Sequence, residues 1–137
     1  MDFNKINDQI TVSGQITPEE VTILKDKGFK TLICNRPDME VEPGLSSEVL
    51  EQAAKEAGLS FAYLPIFPGQ FTEELIEETA RALSELPAPV YAYCRSGTRS
   101  TTAWALAQSG QMEAETIISQ AADAGYDMRG LRPYLAG

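Results

Sequence analysis

At 137 residues, 43% hydrophobic and 23% charged, the chain has the composition of a globular domain and no apolar run long enough to span a bilayer. Its net charge of −9, from 11 Lys and Arg against 20 Asp and Glu, argues against nucleic acid or an anionic membrane as partner. The absence of histidine excludes Cys-His and Ser-His pairs and histidine-ligated metals, and two cysteines without a carboxylate cluster suggest no metal site and no cofactor.

Taken in chain order, short apolar stretches alternate with helical patterns. Ile10 to Val12, Thr31 to Cys34, Phe61 to Leu64 and Val90 to Tyr93 read as strands. Thr17-Pro18-Glu19-Glu20 opens a first helix, with a hydroxyl cap, proline in the first turn and acids at the positive end; Gly28 stops it. Ser46 or Ser47 begins a second helix ending at Gly58, and Thr72 a third running to Leu86 before Pro87. A fourth follows Cys94 and ends around Gly110, a fifth covers Glu113 to Ala124, and Leu131 to Leu135 forms a final turn. Alternating strands and helices imply an α/β fold, a mostly parallel sheet of about four to five strands with helices on both faces. Residues 1–137 are read as one domain. No leader-like segment opens the chain, and the expected location is cytoplasmic.

The strongest arrangement for chemistry is Cys94-Arg95-Ser96-Gly97-Thr98-Arg99-Ser100, between an apolar strand and a helix. A cysteine leaving a buried strand into a Gly/Ser/Arg turn that opens a helix sits under backbone N–H groups and a helix N-terminus. Such a cradle suits an anion and a nucleophilic thiolate. In a parallel sheet the ligand lies beyond the carboxyl ends of the strands. The pocket is therefore expected from this loop, the Asn35-Arg36-Pro37-Asp38 turn and the Pro65-Ile66-Phe67-Pro68-Gly69-Gln70 turn, making Arg36, Asp38, Pro68, Gly69 and Gln70 candidate lining residues.

On these residues the chain resembles the cysteine-dependent dual-specificity phosphatases. More closely, it is similar to the phosphatase-like domain of beta-lactamase hydrolase-like proteins, a family found alone or fused to metallo-hydrolase and sulfur dioxygenase domains. The closer match is carried by Ile10 to Gln15, Asn35 to Asp38, Pro65 with Pro68-Gly69-Gln70, and Cys94 to Ser100. The resemblance implies a phosphatase-type fold, Cys94 as nucleophile and Arg99 as anion ligand.

Two departures from the phosphatase pattern favour sulfur over phosphorus. Protein tyrosine phosphatases place the arginine six positions after the cysteine, whereas Arg99 comes one residue early, and the pattern resembles the active loop of single-domain rhodaneses. The loop from Pro65 to Thr72 also lacks the aspartic general acid of phosphatases. The leading expectation is a sulfurtransferase that passes sulfane sulfur from a donor such as thiosulfate through a Cys94 persulfide, with a sulfur-metabolism enzyme as a candidate partner. The alternatives are a phosphatase acting on a phosphate ester through a Cys94 phosphocysteine, and a non-catalytic anion-binding or thiol redox module. Catalysis falls to Cys94 and Arg99, and anion binding to Arg95, Ser96, Gly97, Thr98 and Ser100.

Several residues carry two readings. Ser100 either hydrogen-bonds the Cys94 sulfur or simply starts a helix. Asn35 to Asp38 reads first as a structural turn with an internal Arg36–Asp38 pair. Pro68 to Phe71 forms a wall or lid, or a stiff connection, while Cys34 is a core residue or, less simply, a resolving thiol.

Overall fold

Alternation along the strands determines how the layers assemble. The computed structural model describes residues 1–136, with strands β1 (Asn4–Lys5), β2 (Ile10–Ser13), β3 (Thr31–Cys34), β4 (Ser60–Tyr63) and β5 (Val90–Tyr93). The five form one sheet in the order β1-β2-β5-β3-β4. β2, β5, β3 and β4 run parallel, with Ile33 opposite Ala92 and Ala92 opposite Val12, and β1 pairs antiparallel at the edge.

Successive side chains point to opposite faces, so each central strand feeds two cores. Ile10, Val12, Ile33, Val90 and Ala92 pack against α3 (Glu73–Glu85), α4 (Thr98–Ala107) and α5 (Ala114–Asp123), with Trp104 fully buried among them. Leu32, Cys34, Tyr91 and Tyr93 pack on the other face against α1 (Val21–Asp26) and α2 (Ser47–Ala57) through Val21, Leu24, Leu50 and Ala54.

Helix starts follow the capping residues. The Thr17 hydroxyl accepts from the Glu20 N–H while the Glu20 carboxylate accepts from the Thr17 N–H, a reciprocal box over the 3-10 turn that leads into α1. At α2 the Ser46 hydroxyl accepts from the Val49 N–H, and at α3 the Thr72 hydroxyl accepts from the Leu75 N–H, single caps without the reciprocal carboxylate.

The expected strands and helices are present, β3 and β5 with the expected bounds and the others with ends at most three residues away. β1 was not expected: its two polar residues carry no alternation, and only pairing with Thr11 and Val12 defines it. None of the described helices is long and apolar enough to cross a membrane.

The chain after α4 belongs to the same core, since Ile117 and Ala121 are fully buried against the α3 and α4 side of the sheet. Truncating Ile117→Ala is expected to cost about 2–5 kcal/mol, read from the shift in a urea unfolding midpoint. A loss within experimental error would mean that α5 is an appendage.

Candidate active site

Cys94 lies one residue past β5, at the carboxyl edge of the sheet, and is 1% exposed. Its N–H donates to the Ser13 carbonyl at 3.3 Å, which continues the ladder with β2. The chain then turns through Arg95 and Ser96, and α4 begins at Thr98. The Gly97 N–H donates to the Cys94 Sγ at 3.1 Å. The first-turn amides of α4 have no carbonyl behind them within the helix, so the positive helix end opens beside the sulfur.

Two glycines make this tight loop possible. Gly97 has φ of 94° and caps α4, and a Cβ there would overlap the Tyr126 hydroxyl. A Cβ on Gly14 would stand 2.7 Å from the Arg95 carbonyl oxygen, a backbone atom with little freedom to retreat. Tyr126 braces the loop: its hydroxyl donates to the Ser96 carbonyl at 2.9 Å and accepts from Asn4 Nδ2 at 3.0 Å.

Arg99 occupies the first turn of α4, and its side chain is 13% exposed. Its Nη1 donates to Glu40 Oε2 at 2.8 Å and to the Ile66 carbonyl at 2.6 Å, while Nη2 donates to Glu40 Oε1 at 2.8 Å. This two-pronged ion pair, made with the outer nitrogens, fixes the guanidinium plane. Arg36 supports the same carboxylate, with Nε 3.4 Å from Glu40 Oε1, and also donates to Gln15 Oε1 at 3.1 Å. Arg99 holds the Glu40 carboxyl below the usual carboxylate range, with Arg36 adding a smaller push in the same direction and burial opposing both. Glu40 in turn raises the Arg99 guanidinium above its ordinary value, and the nearby Cys94 sulfur adds to that.

Three loops thus meet at Arg99: the one after β3 through Glu40, the one after β4 through Ile66, and the one after β5 through Cys94. The three loops expected to meet do converge, on Arg99, although their residues take other parts than expected. Asp38 turns away to cap α2, with its oxygens accepting from the Ser47 N–H at 2.7 Å and the Ser47 hydroxyl at 2.8 Å. The expected Arg36–Asp38 pair is therefore replaced by Arg36–Glu40. Ser100 donates its hydroxyl to Asn35 Oδ1 at 2.7 Å instead of to the sulfur. Pro68 and Gly69 form a turn closed by the Gln70 N–H on the Phe67 carbonyl at 3.0 Å, and all three residues are exposed. Arg95, Ser96 and Thr98 are also exposed at the rim. Cys34 is buried on the α1–α2 face, its thiol donates to the Arg36 carbonyl at 3.4 Å, and burial pushes it up to about 11, so it stays a neutral thiol at pH 7.

Sequence reasoning did not single out Glu40 or Tyr126. Glu40 stands in an acidic stretch with no spacing signal that ties it to Arg99, and Tyr126 is 30 residues from its partner Ser96. A search for a carboxylate able to hold the loop arginine would have had Glu40 as a candidate.

Fold and site together define a phosphatase-type α/β domain built around a cysteine at the carboxyl edge of a parallel sheet. The family described as "Beta-lactamase hydrolase-like protein, phosphatase-like domain" matches residues 2–111, and the chain belongs to that family. A Beta-lactamase hydrolase-like protein of Agrobacterium fabrum is 32% identical over 127 residues, which are 90% of this chain and 29% of that protein. The chain therefore spans less than a third of the length of this relative. A crystal structure of a candidate phosphatase from Neisseria meningitidis superposes with a TM-score of 0.80 at 29% identity, covering 94% of this chain and 92% of that one. The core catalytic domain of the PP-IP phosphatase SIW14 of S. cerevisiae shares the fold at a TM-score of 0.67 and 17% identity, covering 93% of this chain and 80% of that one. Tyr126, which braces the loop, lies beyond the matched residues.

Two measurements test the brace and the clamp. Glu40→Gln leaves Arg99 without its fixed counter-charge, and turnover is expected to fall about 10–100-fold through loss of orientation. Because the folded carboxyl titrates below its unfolded value of about 4.3, its stabilising effect is present above that value and lost as pH falls through the lower folded one. The stability gap between wild type and Glu40→Gln, followed by unfolding against pH, should close at the acid end. Tyr126→Phe keeps the ring and removes the hydroxyl; the rate of Cys94 alkylation by iodoacetamide at pH 7 should rise severalfold as the loop loosens, while an unchanged rate would leave Tyr126 as packing alone.

Proposed function

We propose that the domain is a cysteine-dependent phosphatase, with Cys94 attacking phosphorus and Arg99 binding the phosphoryl oxygens. The observation that carries this reading is the Arg99–Glu40–Ile66 clamp. Both outer nitrogens of the guanidinium are engaged, which aims the remaining Nε and Nη2 hydrogens as a two-pronged donor edge beside the sulfur. The phosphatase-type relatives support the same choice over sulfur transfer. The Gly97 N–H and the start of α4 stabilise the thiolate before attack and again when it leaves phosphorus. The loop amides and Arg99 meet the equatorial oxygens while charge builds on them in the transition state.

A second reading, sulfur transfer through a Cys94 persulfide, rests on the Cys94-to-Arg99 spacing, one residue short of the tyrosine phosphatase loop. One preparation separates the two. With para-nitrophenyl phosphate, hydrolysis should be measurable, absent in Cys94→Ser and reduced about 10²–10³-fold in Arg99→Lys, and rapid quench should show a mass gain of one phosphoryl group on Cys94. Thiocyanate formed from thiosulfate and cyanide, with a gain of one sulfur on Cys94 and no phosphate released, would reverse the assignment.

A further inference from the structure

The carboxylates near the site have other partners, and this bears on what can leave. Both oxygens of Asp38 are occupied by Ser47 at the start of α2. Both oxygens of Glu40 are occupied by Arg99, and that pairing keeps the carboxyl ionised. The loop after β4 reads Leu64-Pro65-Ile66-Phe67-Pro68-Gly69-Gln70-Phe71-Thr72, without an acid. Its Ile66 carbonyl accepts from Arg99 Nη1, so this loop reaches the loop arginine and yet brings no acid to it. Tyr63 is a poorer acid than an ordinary phenol, since burial raises it, and its hydroxyl accepts the Asp38 N–H at 3.0 Å.

We infer that the leaving oxygen departs unprotonated, which restricts substrates to phosphates with a weakly basic leaving group, such as aryl, enol and acyl phosphates and phosphoanhydrides, and excludes simple alkyl phosphates. The inference rests on the phosphatase reading. In the first step a bond forms from the Cys94 sulfur to phosphorus as the P–O bond breaks, and the leaving oxygen keeps the electron pair as an oxyanion. In the second, water attacks phosphorus, the S–P bond breaks, the thiolate returns, and both protons of the water leave on dihydrogen phosphate. The first step calls for no protein acid provided the oxyanion is stable in water. A positioned acid is worth about 10²–10⁴-fold where the leaving group is basic, which is the rate this site forgoes on alkyl esters.

The test uses the full chain and a series of substituted phenyl phosphates of equal bulk, with acetyl phosphate and glycerol phosphate at the extremes. Because kcat/KM reports the steps through P–O cleavage, it should fall about threefold to tenfold for each unit rise in the pKa of the leaving phenol. Acetyl phosphate should be cleaved and glycerol phosphate should not. A flat series, or turnover of glycerol phosphate within about tenfold of phenyl phosphate, would overturn the inference by revealing a working acid. The exposed carboxylates that flank these loops in the chain, Glu42, Glu73 and Glu74, are checked by Glu42→Gln, Glu73→Gln and Glu74→Gln. Unchanged slopes support the inference, and a slope that steepens in any of the three variants identifies the acid and overturns it. If the most activated aryl phosphate is not hydrolysed at all, the phosphatase reading falls and this inference with it; a flat series that depends on Cys94 removes the inference alone.

Discussion

The side chain and backbone of Asn35 hold the edge of the sheet together. Its N–H donates to the Tyr93 carbonyl at 2.8 Å, its carbonyl accepts from the Ile66 N–H at 2.8 Å, its Nδ2 donates to the Leu64 carbonyl at 2.8 Å, and its Oδ1 accepts from Ser100 at 2.7 Å. Four bonds thus join the ends of β5 and β4 to the first turn of α4 through one residue that is 3% exposed. A buried amide is costly unless it is satisfied, and a satisfied one restricts its neighbours to a single arrangement. The spacing between the Cys94 loop and the Ile66 carbonyl follows from this junction. Ser100 is recruited to it, which is why its hydroxyl serves the scaffold and leaves the sulfur to the Gly97 N–H.

Arg99 shows how an acidic chain builds a cationic site. With net charge −9, a free arginine at the surface would be drawn to many carboxylates. The structure commits it to one. Glu40 neutralises part of its charge and fixes its plane, Ile66 supplies a carbonyl, and Arg36 restores positive charge on the far side of Glu40. Paired partly out of water, the guanidinium keeps direction at the expense of net charge, and direction is what recognition of a tetrahedral oxyanion requires. The exposed Arg95 has no side-chain partner among the described residues to fix its direction, although in sequence it looks as suitable as Arg99.

Strand and helix positions were legible because apolar alternation and capping residues act locally: Thr17, Ser46 and Thr72 cap where their sequence contexts require. The Cys94 loop was equally legible, since Cys94, Gly97 and Arg99 stand within six residues. What the sequence could not express was partner choice across the sheet edge. Asp38 and Glu40 are two residues apart and chemically alike, and only the start of α2 draws Asp38 away while the 3-10 turn carries Glu40 toward Arg99. Tyr126 was invisible for the same reason: its hydroxyl matters because the chain after α5 returns beneath Ser96, a fact of packing with no local pattern.

The short Cys94-to-Arg99 spacing and the acid-free loop both point toward sulfur in the sequence, but they constrain different atoms. The spacing concerns the width of the anion cradle, and in the structure Arg99 already belongs to the helix, so its reach is set by Glu40 and Ile66 more than by the count of loop residues. The acid-free loop concerns only the atom that departs. Sulfite leaving from thiosulfate and a phenolate leaving from an aryl phosphate are both weakly basic, so either reaction is compatible with a site that offers no proton. The missing acid therefore narrows the substrate without choosing between sulfur and phosphorus. Under the phosphatase proposal the choice rests on Arg99, whose fixed donor edge would suit an ester dianion with several oxygens to grip better than a persulfide that carries one charged sulfur.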